Sequence, residues 1–489
     1  MHIPKNNVAA SINHVPSKWV TLGIVGIGNY LTASELGVVV TFPTLIEAFD
    51  SSPSVIIWVQ LVYMLVSASI IFTTGNLADR FGLGRVFTLG FLMFTVGLAL
   101  SSLAQGSGAL IACRGFQAVG HAMLLSSEAA LTMRAFPATE QGRALGLRSA
   151  AGGLGLSSGP LLAGILVQTL GWQSIFYSRI PLALLGFFLS WRFLRLSTPP
   201  QDAQGHLDIF GAVALFGSIS AFLLAVNQAG RVGWDSPVVV VAALTTLSLF
   251  PLLILIEKRA PRPVLDLALF KNNRFLLGQA ALIFSFLAQG SVMFLTPFYF
   301  SGALGMTSFG IGLLLATFSV IRLLVSPISG LLTDAIGGRT PVTMGLLIIA
   351  SGILVLSRQG GNGSLPFVVL GMVMTGFGSA LFEPPNTRHI IDSIPRQQWG
   401  TASASVAAGR QVSASTGTAL IGTLFQIRED FHRTALNSQG LPPNQVDQRA
   451  IGLGFTDSLL LAMAFAFMGA LIGALRPSHR PDHTNRPDV

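Results

Sequence analysis

The eight residues Gly75-Asn76-Leu77-Ala78-Asp79-Arg80-Phe81-Gly82 have a near echo 255 positions later, Gly330-Leu331-Leu332-Thr333-Asp334-Ala335-Ile336-Gly337. Each copy follows an apolar run, and each has an arginine just beyond it, Arg85 and Arg339. A charged, glycine-framed turn between apolar segments, once per half, points to a membrane protein built from two related halves, with transport as the expected role. Glu128 and Glu383 share the same 255-residue offset. Gly142, Gly159 and Gly164 recur as Gly400, Gly417 and Gly422 at an offset of 258. The matched carboxylates carry more weight than the glycines, because acidic residues are rare in such segments.

Only 10% of the 489 residues are charged and 51% are hydrophobic, whereas a soluble domain carries about 25% charged residues. The remaining surface therefore calls for lipid. The net charge of +9 does not indicate nucleic acid, because the basic residues are scattered between apolar segments. The single cysteine, Cys113, excludes an intrachain disulfide or a multi-cysteine metal site, and its apolar surroundings predict a buried, inert thiol. No phosphate-binding loop, metal-ligand cluster or nucleophile–base set occurs, so neither an enzyme, nor a cofactor, nor direct ATP drive is expected. The polar N-terminus and the long apolar run from Trp19 do not fit a signal peptide, whose apolar region is roughly 7–15 residues.

Fourteen apolar segments approach the roughly 20 residues a membrane helix needs: 19–46, 54–74, 86–105, 108–132, 143–170, 174–196, 207–229, 237–257, 274–301, 308–330, 341–358, 364–385, 401–426 and 455–475. With the N-terminus in the cytoplasm, twenty of the 29 basic residues fall on the cytoplasmic side. Five fall outside (Arg231, Arg358, Arg428, Arg433, Arg449), and Arg114, Arg179, Arg322 and Arg410 lie within segments. Arg148 is assigned to the cytoplasmic edge. This bias sets both termini in the cytoplasm of a cell-membrane protein. The repeat offsets pair segments 1–6 with 9–14 and leave 7 and 8 over. The expected fold is an all-α polytopic membrane protein arranged 6+2+6. Its parts are a half over 1–196, an insert over 197–273, a second half over 274–475 and a tail over 476–489. Residues 427–454 read as a polar outer loop.

Three motifs carry mechanism. In the Gly75–Arg85 turn, glycines permit close approach, and Asp79 can cap a helix N-terminus or pair with an arginine, latching one conformation. Gly75, Asp79, Arg80, Gly82, Arg85, Asp334 and Arg339 are the candidate gate. Segment 5 sets Gly146, Gly155, Gly159 and Gly164 around Pro160, a flat and kinkable face for a neighbouring backbone. Segment 4 carries Arg114 with Gln117 one turn on; an arginine in the bilayer is a functional candidate by default.

At these residues the chain resembles the major facilitator superfamily, and within it the fourteen-helix drug:proton antiporter family. The Gly75–Arg85 turn looks like that family's loop 2–3 signature, the segment 5 glycines resemble its antiport signature, and Arg114-x-x-Gln117 resembles its segment 4 motif. Arg410-Gln411 and Pro384-Pro385-Asn386 also look familial. The chain departs from the pattern in three places: the segment 1 carboxylate is Glu35 where Ser34 holds the family's place, Arg179 stands where an asparagine is expected, and the loop 2–3 signature lacks its usual extra basic residues at Leu83 and Gly84. The resemblance implies a proton-coupled antiporter that exports lipophilic or amphiphilic small molecules by alternating access and acts as a monomer in the bilayer.

Glu35 lies mid-segment, where competition between desolvation and a neighbouring arginine suits a proton carrier. Glu35, Arg114 and Glu128 are the candidate coupling residues. Glu35, Arg114, Gln117, Arg179, Arg322, Arg410 and Gln411 are the candidate cavity. Four embedded arginines against two clearly embedded glutamates leave an anionic lipid or metabolite as the alternative substrate. A non-transporting receptor on this fold is the reading from another class.

Overall fold

Inside a bilayer each backbone N–H and C=O has to be satisfied within its own segment, so long apolar runs fold as helices. A computed structural model describes residues 17–194, 208–260, 263–306, 308–359, 364–438 and 442–476. Its described residues form fourteen long helices. The first six are α1 (Lys18–Ala48), α2 (Trp58–Phe81), α3 (Leu83–Ser102), α4 (Ser107–Ala135), α5 (Gln141–Leu170) and α6 (Ser174–Phe193). The inserted pair is α7 (Ile209–Val232) and α8 (Pro237–Arg259). The last six are α9 (Asn273–Gly302), α10 (Ser308–Ile336), α11 (Arg339–Ser357), α12 (Leu365–Asp392), α13 (Trp399–Asn437) and α14 (Pro443–Ala474).

Thirteen of these are long and apolar enough to cross a membrane. The other, α13, is rich in Ser and Thr and carries Arg410 and Gln411. Two seams join the halves: α5 packs on α10, and α2 packs on α13. The inserted pair leans on the second seam through α7, which touches α2 and α13, while α8 packs mainly on α7. Trp234, between the two inserted helices, donates its indole N–H to Thr423 of α13 at 3.1 Å.

Both repeated turns end on a glycine with a left-handed backbone, Gly82 at φ +97° and Gly337 at φ +82°. A side chain is strained there, which explains why both copies close on glycine. Within α1, the stretch Ser34–Thr41 tightens to a 3₁₀ helix. Ser34 and Thr41 support it by donating their hydroxyls three residues back, to Leu31 O at 2.9 Å and Val38 O at 2.7 Å.

The outer loop expected over 427–454 is instead largely helical. α13 runs on to Asn437, and α14 begins at Pro443. The polar sequence is helix-compatible because its charges pair along and between the two helices. Arg433 meets Glu429 at 2.5 Å one turn back and Asp447 at 3.2 Å, and Asp457 accepts from Arg428 at 2.6 Å. The linker residues 195–207 and tail residues 477–489 lie outside the described residues.

Candidate functional site

The face of the bundle carrying the two repeated turns, here the turn face, is where the halves interlock. Asp79, near the end of α2, accepts the Gly400 amide at 2.6 Å, the Thr401 amide at 2.7 Å and the Thr401 hydroxyl at 2.8 Å. It thus caps α13 of the other half, where the helix leaves its first amides free. Asp334, near the end of α10, accepts the Gly142 amide at 2.9 Å and the Arg143 amide at 2.8 Å, so it caps α5. The sequence repeat has become a reciprocal clasp.

Two arginines absent from the sequence-based candidates complete it. Arg388 pairs with Asp334 at 2.7 Å and donates to Ala138 O of the first half at 2.6 Å. Arg134 donates to Arg396 O of the second half at 3.0 Å. Their near-equal spacing in the two halves was visible in the sequence, but shared position alone does not mark a contact. Of the other gate candidates, Arg339 bonds Ala474 O of its own half at 2.5 Å, Arg85 is exposed, and Arg80 is half-buried.

The clasp needs backbones to touch. A Cβ on Gly330 would sit 2.2 Å from Gly142 O, and one on Gly75 would sit 2.8 Å from Gly400 O. Farther along α5, a Cβ on Gly146 would meet Ser326 O of α10 at 2.4 Å. Gly155 and Gly159 turn instead to α1, where a Cβ would meet Tyr30 O at 2.4 Å and Ser34 O at 2.6 Å. Gly164 corrects the expectation of packing: a Cβ there meets nothing within 4 Å.

Inside the first half, Glu35 is 3% exposed and Arg114 fully buried. Arg114 donates to Glu35 at 2.7 Å and to Gln117 at 2.6 Å, and Gln117 donates to the other Glu35 oxygen at 3.1 Å. Arg179 also donates to Glu35, at 2.8 Å, and to Ser34 O at 2.8 Å. One carboxylate from α1 is therefore held by arginines from α4 and α6. The Arg114 guanidinium lies 4.0 Å from the Tyr63 ring centre, and Tyr63 stacks on His121, whose Nδ1 is 2.9 Å from Ser67 Oγ. A buried pair needs such additional partners to offset desolvation.

A second charged group lies between the halves. Glu383 of α12 is held by Arg322 of α10 and Arg410 of α13. Glu128 of α4 meets Arg148 of α5 at 3.2 Å. Arg410 acts on Glu128, and Arg148 on Glu383, so the pairs sense each other across the seam. Gln411 reaches Met64 O of α2 at 3.0 Å. Two placements correct the sequence reading: Arg148 is 2% exposed rather than at a wet edge, and Glu383 is 3% exposed rather than near the surface. Both are held by ion partners on other helices of their own half, Glu128 for Arg148 and Arg322 and Arg410 for Glu383, which hydropathy along one segment does not register. The two clusters thus gather five arginines, of which Arg114 and Arg148 are buried and the other three part-buried, around three buried glutamates.

The family model described as Major Facilitator Superfamily matches residues 19–309 and 279–429. The chain belongs to that superfamily. A riboflavin transporter of Clostridioides difficile (strain 630) is 31% identical over 410 residues, covering 83% of this chain and 88% of the relative. A multidrug resistance protein, Stp, of Mycobacterium tuberculosis (strain ATCC 25618 / H37Rv) is 30% identical, covering 83% of this chain and 75% of that protein. Among solved structures, the human organic anion transporter MFSD10 superposes with a TM-score of 0.62 over 92% of this chain and 100% of that one, at 15% identity, a likeness of fold. Membership makes the chain a multi-pass membrane protein of a transporter superfamily.

Proposed function

We propose that the protein is a proton-coupled antiporter of the fourteen-helix type that exports lipophilic or amphiphilic small molecules by alternating access. The observation that supports this reading is the buried Glu35 clamped between Arg114 and Arg179. Taking up a proton there would remove the charge that binds α1 to α4 and α6 and let these helices repack. The basic-residue bias assigns the turn face and both termini to the cytoplasm. The clasped arrangement is then the step in which the cytoplasmic side is shut. The halves over 1–196 and 274–475 rock against each other, with 197–273 as the insert. The names of relatives, riboflavin transport and multidrug resistance, agree with small amphiphilic substrates.

The test uses purified protein in liposomes holding a pH-sensitive dye, under an imposed proton gradient, with a panel of lipophilic cations, neutral compounds and anionic amphiphiles. Wild type should move protons only with substrate, and Glu35→Gln should lose that coupling. Intact coupling and pH dependence in Glu35→Gln would remove the proposal.

The excess of arginine over glutamate in the two internal clusters, five to three, favours a second reading, export or flipping of an anionic lipid or metabolite. Arg179→Gln or Arg322→Gln should then raise the apparent KM for the anionic members of the panel. Unaltered transport in both variants would exclude it.

A further inference from the structure

On the turn face a cavity of about 540 Å³ opens beside the Asp334–Arg388 clasp, in the size range of small-ligand sites. Arg274, Arg339, Arg388, Arg396 and Arg476 all line it, together with His389. The carboxylates that face this set are Asp392 in the wall and Asp334 behind Arg388. The arginines therefore outnumber them by three.

Arg476 is the telling member. It is 2% exposed, and it donates through Nη2 to Leu277 O at 3.2 Å and to Asn386. Its Nε and Nη1 are buried with no hydrogen-bond partner among the described residues. Burial lowers its pKa to about 9, so the guanidinium is still charged at neutral pH. A buried guanidinium with no carboxylate partner is costly unless a nearby anion supplies the missing charge. Planar, forked donors from several arginines suit the tetrahedral oxygens of phosphate. Ala138 and Gln141 of the first half complete the wall, so the cavity is assembled by the clasped arrangement.

We propose that this cavity is a binding site for a phosphate-type oxyanion, carried by a lipid headgroup or free in solution. It is separate from the buried Glu35 and Glu383 clusters and stands independently of the transport reading.

The unfolding midpoint of the full-length protein tests it in two settings. Inorganic phosphate is titrated into protein in neutral detergent, and separately the protein is reconstituted in phosphatidylcholine vesicles with or without phosphatidylglycerol. A saturable rise with phosphate supports the site with a soluble ligand, and a rise with phosphatidylglycerol alone supports it with a lipid headgroup. In Arg274→Gln and Arg476→Gln the apparent affinity should weaken at least about tenfold. Should Arg476→Gln fail to fold, Arg274→Gln and Arg396→Gln decide. No shift in either setting, or variants that respond like wild type, would overturn the proposal.

Discussion

Asp79 accepts the Gly400 amide at 2.6 Å across the seam between the halves, although 321 residues separate the two in sequence. Asp334 repeats the contact in reverse on Gly142. Because each aspartate caps a helix of the other half, each ties its own half to the clasped state. Losing a cap costs typically about 1 kcal/mol and up to about 2, which is a several-fold to thirtyfold change in population. Asp79→Ala and Asp334→Ala should each loosen the turn face by that amount, and the double variant should add, because the sites sit on different seams. The measurement is alkylation of Ser326→Cys, buried between α10 and α5, in a Cys113→Ser background. Labelling unchanged by either aspartate substitution would refute the clasp.

Arg114 and Glu35 should behave as a unit in stability. Removing one member of a buried pair costs up to about 3–5 kcal/mol when the other charge is left uncompensated, and less for Arg114, because Arg179 still holds Glu35. Arg114→Gln alone should therefore lower the denaturation midpoint more than the Glu35→Gln/Arg114→Gln pair departs from Glu35→Gln. The surface pair Lys18–Glu140, at 2.5 Å with both side chains 34% exposed, is the control. Glu140→Gln should cost at most about 1 kcal/mol. Additive effects for Glu35 and Arg114 in this cycle would mean that they are not coupled.

Glu383 should matter more to stability than Glu128. Glu383 holds two arginines, Arg322 and Arg410, whereas Glu128 holds Arg148 and leaves its Oε1 without a hydrogen bond among the described residues. Glu383→Gln strands two buried charges and Glu128→Gln one. Unfolding midpoints measured side by side should rank Glu383→Gln below Glu128→Gln. The reverse order would show that Arg322 or Arg410 finds another partner.

Much of the fold was legible in the sequence, because spans are set by local hydropathy and the halves by repeated residues. The fourteen helices and the 6+2+6 order needed nothing else. The site was legible only in part. Glu35, Arg114 and Gln117 stand out as polar residues in apolar surroundings, and the structure brings them together with Arg179. The burial of Arg148 and Glu383 was not legible, since it depends on charge partners supplied by other helices. Helix ends were missed for the same kind of reason. α13 continues past its apolar run on charge pairs such as Glu429–Arg433, which a hydropathy window scores as loop.

Glycines separate close packing from mere small size, and their substitution should sort accordingly. At Gly330 an added Cβ would lie 2.2 Å from the Gly142 carbonyl oxygen, so the α5–α10 seam has to part. At Gly82 the backbone is left-handed at φ +97°, where alanine costs on the order of 1–2 kcal/mol wherever the side chain points. At Gly164 an added Cβ meets nothing within 4 Å, and alanine is the better helix former by about 0.5–1 kcal/mol. Gly330→Ala should therefore raise labelling of Ser326→Cys, because it opens the seam that shields it. Gly82→Ala should lower the unfolding midpoint through strain in the turn. Gly164→Ala should leave labelling unchanged and hold or raise the midpoint, even though it belongs to the same glycine motif as Gly155 and Gly159. A loss of stability in Gly164→Ala equal to that in Gly330→Ala would mean that the motif acts as one packing face, and that α5 meets a helix at Gly164 in another state of the protein.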